Sequence, residues 1–202
     1  MNNKYLVVGI AGKIRSGKDT LANLMIEKGF YGVSLGDIVR EKTREFYSDQ
    51  ESPISIENMT KTSNRLRSEM GPDFLYKEAI SKYEKLPNKS EYKGLLMFSV
   101  RAPIEADSIV GSGGRLIWVE ASDEERYGRA VKFKRDGETT QTFDEFKIAE
   151  AEQFKPNPEL PKEIQMDLDY VKTKATDILS NDKDIETFNE QASNLIEGLS
   201  NI

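Results

Sequence analysis

Five short apolar runs recur along the chain, and the stretches between them carry their apolar residues at helical spacing. Leu6 to Ala11, Tyr31 to Leu35, Leu95 to Val100, Leu116 to Ala121 and Thr176 to Ser180 each predict a strand. The first is apolar throughout and partly β-branched, as a parallel strand buried on both faces must be. The intervening pattern predicts helices from Asp19 or Thr20 to Lys28, Asp37 to Tyr47, Thr60 to Met70, Asp73 to Tyr83, Pro103 to Ile109, Asp123 to Lys134 and Ile185 to Leu199. Gly71-Pro72 separates the third helix from the fourth. Alternating strands and helices predict an α/β fold with a doubly wound parallel sheet. Two stretches depart from the alternation. Residues 48–94 are polar and mostly helical, and residues 135–175 are charged, carry Pro156, Pro158 and Pro161, and predict a mobile flap plus a helix.

The first strand runs into Gly12-Lys13-Ile14-Arg15-Ser16-Gly17-Lys18-Asp19-Thr20, and Leu21, Ala22, Leu24 and Met25 follow at helical spacing. Strand, glycine loop and helix is the context in which the pattern G-x-x-x-x-G-K binds phosphate. Backbone N–H groups from Lys13 to Lys18 can encircle the anion at a helix N-terminus, and Lys18 can reach the β- and γ-phosphates.

A second constellation begins where the second strand ends, at Ser34-Leu35-Gly36-Asp37-Ile38-Val39-Arg40. Asp37 is a candidate helix cap, and Arg40, three residues on, shares its face. The third strand ends at Val100-Arg101-Ala102-Pro103, bringing another guanidinium to the sheet edge where ligands of parallel sheets bind. Arg65 and Arg67 come from the helical segment between. Arginines converging beside a phosphate loop predict a second anion site, placed for a phosphorylated acceptor.

Composition narrows the chemistry. The 202 residues suit one α/β domain with a sizeable core, and the net charge of −6 argues against a nucleic-acid or anionic-membrane partner. Cysteine and histidine are both absent, which excludes disulfides, cysteine metal sites and any Cys or His nucleophile or base. What remains — lysine, arginine, carboxylates, hydroxyls, backbone and a bound ion — suits phosphoryl transfer. The first apolar run is too short to span a membrane and lacks a signal-peptide cleavage pattern, so a soluble cytoplasmic protein is expected.

The loop, the Ser-Leu-Gly-Asp-Ile-Val-Arg box and the strand-end Arg101 together resemble the P-loop nucleoside monophosphate kinase superfamily. Within it, Gly36 to Glu41, Leu66-Arg67-Ser68-Glu69-Met70-Gly71-Pro72 and Ser99-Val100-Arg101-Ala102-Pro103-Ile104-Glu105 are similar to segments of a dephospho-CoA kinase-like or adenylate kinase-like group. The resemblance covers most of residues 5–183. It implies a three-layer fold with a five-stranded parallel sheet in the order 2-3-1-4-5. A single kinase domain over 1–202 would hold an acceptor-binding region near 37–94, and a lid with its following segment over 123–175. Asp37, Arg40, Arg67 and Arg101 would hold the acceptor, while Gly12 to Thr20 would hold ATP. The lid segment supplies Arg126, Arg129, Lys132, Lys134 and Arg135; Arg126 and Arg129 would close over the phosphates, while Lys132 and Lys134 are equally read as solvated charges. Asn181, in the loop after the last strand, would pass the adenine base.

Three departures qualify the resemblance. Asp19 stands where most such loops place the Mg²⁺-binding Ser or Thr, and a carboxylate there can take part of the ion. Phe98 stands where relatives often carry an acid for the ion's water shell. No arginine follows Arg135, where adenylate kinases place more, leaving Lys147 or Lys155 as substitutes or a different acceptor. The expected activity is Mg²⁺-dependent transfer of the ATP γ-phosphate to a small phosphorylated acceptor, a nucleoside or deoxynucleoside monophosphate first. Lys18, Arg101, Arg126 and Arg129 would stabilise charge, and Asp37 would serve as base for a hydroxyl acceptor. Dephospho-CoA is the alternative acceptor, and a nucleotide-binding regulatory protein with little transferase activity is the alternative of another class.

Overall fold

The computed structural model describes residues 5–133 and 141–199. Among them, strands β1 (Leu6–Ala11), β2 (Tyr31–Ser34), β3 (Gly94–Val100), β4 (Arg115–Glu120) and β5 (Asp177–Ser180) form one sheet in the order β2-β3-β1-β4-β5. Every pairing is parallel. The central β1 shows why its sequence is apolar on both faces. Val7 and Ala11 pack into one core with residues of the helices α2 (Leu35–Phe46), α4 (Phe74–Glu84), α5 (Pro103–Gly111) and α8 (Leu168–Thr173). Val8 and Ile10 point the other way, into a core with α1 (Lys18–Glu27) and α9 (Ile185–Leu199). A one-residue slip would exchange the two faces, so the alternation pins the register.

The remaining helices are α3 (Ile56–Met70), α6 (Asp123–Lys132) and α7 (Phe143–Gln153). Helix α2 starts directly at the end of β2, and its cap is Ser34, whose Oγ accepts the Asp37 N–H at 3.1 Å. Asp37 therefore does not cap the helix. Its carboxylate sits within the first turn, where it pairs with Arg40. Helix α3 begins at Ile56, earlier than the apolar pattern indicated, because Ser55 accepts the Asn58 N–H at 3.1 Å and stops the helix there. Of the segment expected to be a flap, residues 143–153 are helical, and α8 buries Leu168 and Val171 in the core. Lys134, Arg135 and the first residues of that flap lie outside the described residues.

Between β1 and β3 the register shifts: Ile10 pairs with Phe98 but Ala11 with Val100. Ser99 is the extra residue, at φ 65°, in the left-handed region that a non-glycine adopts at a cost of about 1–2 kcal/mol. A bulge of this kind re-aims the chain at the end of a strand.

Candidate functional site

The glycine loop between β1 and α1 lies at the carboxyl edge of the sheet, and its geometry explains its glycines. Gly12 has φ 151°, and a Cβ there would come within 2.5 Å of the Val119 carbonyl oxygen and 2.7 Å of Ser16 Oγ. Gly17 precedes α1 at φ 101°, where a Cβ would lie 2.1 Å from Asn181 Nδ2. Arg15, at φ 61°, takes a left-handed conformation without a glycine's freedom.

Donors from elsewhere in the chain hold the loop's carbonyl oxygens. Ile14 O accepts from Arg126 at 3.0 Å, and Arg15 O and Ser16 O each accept from Arg129 at 3.4 Å. Ser16 O also accepts from Asn181 Nδ2 at 2.8 Å, and a further Arg129 hydrogen bond goes to Asn181 O. In a trans peptide the carbonyl of one residue and the N–H of the next point opposite ways. Tying these carbonyls to outside donors turns the N–H groups of Arg15 and Gly17 to the other side. Lys18, only 7% exposed, places Nζ 3.3 Å from Lys13 O. Ser16 Oγ is fully buried within the loop and has no hydrogen-bond partner among the described residues.

Arg126 and Arg129 thus face the loop, as their three-residue spacing allowed, but they grip its carbonyls. Arg126 is fully buried and forms a two-pronged pair with Glu150 of α7 at 2.6 and 2.8 Å, with Asp123 at 2.6 Å. Its hydrogen bond to Asp123 holds that carboxyl below its ordinary pKa. Glu150 also stands 3.9 Å from Lys13 of the loop. Sequence reasoning missed Glu150, which lies far from the loop along the chain. Its helix was nonetheless announced by Thr142-Phe143-Asp144-Glu145, a capping box in which Thr142 and Glu145 bond each other's backbone N–H. Lys132 is exposed beside the Phe133 ring. Lys147 pairs with Asp144 and Lys155 with Glu152, at 3.2 and 3.1 Å.

Next to the loop, a cleft of about 490 Å³ opens between α1, α2, α3 and the end of β3. Its lining brings together Lys18, Asp19, Asp37, Arg40, Phe98, Ser99 and Arg101. Asp37 and Arg40 form an exposed ion pair. Arg101 makes no side-chain hydrogen bond or ion pair among the described residues. Burial pulls its guanidinium below its ordinary pKa, Arg67 and Arg40 add to that, and Glu105 and Asp19 oppose it. An arginine stays charged nonetheless, so the cleft carries a cation that feels Glu105 and Asp19 but has no direct ion-pair partner among the described residues.

Arg67 reaches the cleft wall but is committed elsewhere. It is 2% exposed and donates to Glu105 at 2.6 Å and to Ser63 Oγ. Glu105 in turn accepts the backbone N–H groups of Arg101 and Ala102 at 2.9 and 3.1 Å. Arg67 therefore supports the strand end from which Arg101 projects. Arg65 is not part of the cluster; it pairs with Glu69 at 2.8 Å and lies over the Phe46 ring at 4.2 Å. Thr20 is exposed at the start of α1.

The arrangement fits a nucleotide phosphate: a glycine cradle that a Cβ would fill, a buried lysine, and an orphaned hydroxyl. The acids lining the cleft are Asp19 and Asp37. No group of three or more His, Cys, Asp or Glu gathers for a metal among the described residues. One carboxylate with phosphate oxygens and water is nonetheless an ordinary Mg²⁺ environment. Among the described residues, no helix is long and apolar enough to cross a membrane.

No family model matches the chain. A UPF0200 protein of Thermococcus gammatolerans is 27% identical over 196 residues, covering 95% of this chain and 94% of its own. Among solved structures, TT1252 from Thermus thermophilus aligns with a TM-score of 0.60 at 18% identity, over 97% of this chain and 98% of its own. Shikimate kinase from Bacteroides thetaiotaomicron aligns with a TM-score of 0.58 at 16% identity, over 96% and 98%. Dephospho-CoA kinase from Campylobacter jejuni aligns at 0.51 and 15%, over 97% and 98%. The fold is that of the P-loop kinases, with the strand order that the motifs implied.

Proposed function

We propose that the chain is a single ATP-dependent kinase domain that moves the γ-phosphate of ATP to a small phosphorylated acceptor, a nucleoside or deoxynucleoside monophosphate first. The observation that carries this reading is the pairing, in one cleft, of a glycine loop beside Lys18 with Arg101, a cation without a direct ion-pair partner among the described residues. Two anion sites facing one space are what transfer between two phosphorylated molecules requires.

Gly12 to Thr20 hold ATP, with Lys18 on its phosphates. Arg40 and Arg101 hold the acceptor's phosphate, Asp37 orients Arg40, and Arg67 steadies Arg101 through Glu105. The regions near 37–94 and 123–175 serve as acceptor-binding part and lid. Mg²⁺, held by Asp19 together with water, supplies neutralisation of phosphate charge when bound. In the transfer, an acceptor oxygen bonds to the γ-phosphorus as the bond to the bridging β-phosphate oxygen breaks, and ADP leaves with that electron pair. A phosphate acceptor is already ionised at neutral pH and needs no base. A hydroxyl acceptor, as in dephospho-CoA, would pass its proton to Asp37. Lys18, Arg101 and the dipoles of the clamped loop stabilise the charge that spreads in the transition state.

The test is incubation with Mg·ATP and a panel of ribo- and deoxynucleoside monophosphates, dephospho-CoA and phosphomevalonate, following ADP and product mass. One acceptor should be phosphorylated, and Lys18→Ala should lower the rate by at least ~10²-fold. The second reading, a nucleotide-binding regulatory protein, draws on Phe98, an apolar side chain lining the cleft where an acid is expected. Tight ATP binding with no transfer to any member of the panel would favour it.

A further inference from the structure

Resting on the kinase reading, we infer that Glu150 of α7 is a positioning residue of the ATP site. It aims Arg126 at the phosphate loop, so the loop holds its phosphate-binding shape only while α7 is docked. Glu150 belongs to none of the motifs that announced the site and lies far along the chain from the loop.

A buried guanidinium needs a counter-charge held as firmly as itself. Of the two carboxylates on Arg126, the Asp123 side chain is 43% exposed and that of Glu150 only 11%. Glu150 takes both terminal nitrogens, Nη1 at 2.6 Å and Nη2 at 2.8 Å, and that two-pronged grip fixes the guanidinium plane. Asp123 accepts from Nη2 alone. Nη1 is also the nitrogen that donates to Ile14 O, at 3.0 Å. With one of its hydrogens on Glu150, its other is directed at the loop carbonyl. The Arg15 N–H lies on the opposite side of that same peptide. The chain of contacts therefore runs from Glu150 through Arg126 to an amide of the cradle.

The docking of α7 is centred on the same guanidinium. Phe146 is buried one turn before Glu150 on the same face of the helix, with its ring 5.4 Å from the Arg126 guanidinium. Phe143 and Phe146 both pack on the Tyr127 ring, at 5.4 and 5.9 Å. Arg126 is thus clasped between Phe146 and Glu150, so docking of the helix and aim of the guanidinium go together. By charge alone the arrangement is adverse, because a carboxylate beside a phosphate site repels the anion. Glu150 stands 3.9 Å from Lys13 of the loop, near enough for that repulsion to be felt. Its position has to outweigh its charge.

Charge and position predict opposite outcomes of one substitution. Mg·ATP is titrated calorimetrically into the full chain and into Glu150→Gln, which keeps the shape of the side chain and removes its charge. Loss of aim should weaken binding about tenfold, as the loss of a charge-assisted hydrogen bond does, whereas a charge acting through space would give tighter binding. Glu150→Asp keeps the charge, draws the carboxylate back by about 1.5 Å, and should weaken binding too. In an Arg126→Gln background Glu150→Gln should have no further effect, because the residue it acts through is gone. By reciprocity, Mg·ATP should slow amide exchange over residues 146–153 of the parent and not of Glu150→Gln. Circular dichroism and thermal unfolding report that the variants fold. Unchanged or tighter binding by both Glu150 variants, or additive losses with Arg126→Gln, would overturn the inference. No transfer to any acceptor, with the affinities behaving as stated, would count against the kinase reading alone, and a parent that binds no Mg·ATP would overturn both.

Discussion

Arg129 illustrates how much a single side chain can organise. Its guanidinium reaches the carbonyls of Arg15, Ser16 and Asn181, so it holds the loop and the end of β5 together. Charge-assisted hydrogen bonds to backbone oxygens are worth about 1.5–3 kcal/mol when an ionised donor is removed. Arg129→Gln should therefore weaken Mg·ATP binding by about ten- to a hundredfold while the far-ultraviolet circular dichroism stays that of the parent. Calorimetric titration checks this, and an unchanged affinity would mean that the loop holds its shape without the clamp. Residue type and spacing disclosed that Arg126 and Arg129 face one way. They did not disclose toward what, because the loop they contact lies more than a hundred positions earlier in the chain.

Among elements, the contact of α3 with α5 matters most to the site. Arg67 and Glu105 are 2% and 1% exposed, and Glu105 also holds the backbone at Arg101 and Ala102. Removing one partner of a buried pair leaves the other charge uncompensated and costs about 3–5 kcal/mol. Arg67→Met should lower stability by that amount in urea unfolding, and Arg67→Met with Glu105→Gln should recover a good part of it. A single-variant loss below about 1 kcal/mol would show that water reaches Glu105 freely. The motif Leu-Arg-Ser-Glu-Met-Gly-Pro was legible and drew attention to Arg67, yet its carboxylate partner could not be read from it. Helix starts were partly legible as well. Ser55 and Thr142 are ordinary cap residues whose signals lay in the sequence, whereas the apolar pattern of α3 begins only after its first turn.

Across the whole molecule the absence of histidine shapes the response to pH. Asp182 is held below its ordinary pKa first by the Ser122 N–H, Asp184 by the Thr187 N–H, and Asp123 by Arg126. A carboxyl with a depressed folded pKa binds its proton more weakly in the folded state than in the unfolded one. The stability it contributes is complete above the unfolded value near 4 and is lost as pH falls through the folded one. The urea midpoint should thus stay nearly flat between pH 6 and 8 and fall below about pH 4, and a marked slope across neutrality would contradict this. The sequence by itself determined the alternation of strands and helices, the loop and its lysine, and the arginine at the end of β3. Each follows from local periodicity or from a short motif whose residues act on their own neighbours. The tertiary structure alone decided which charges are tied up directly and which are not: Arg126 on Glu150, Arg67 on Glu105, Arg101 in no side-chain hydrogen bond or ion pair among the described residues. Those choices depend on carboxylates that the fold brings in from 24 and 38 positions away, which no local pattern encodes.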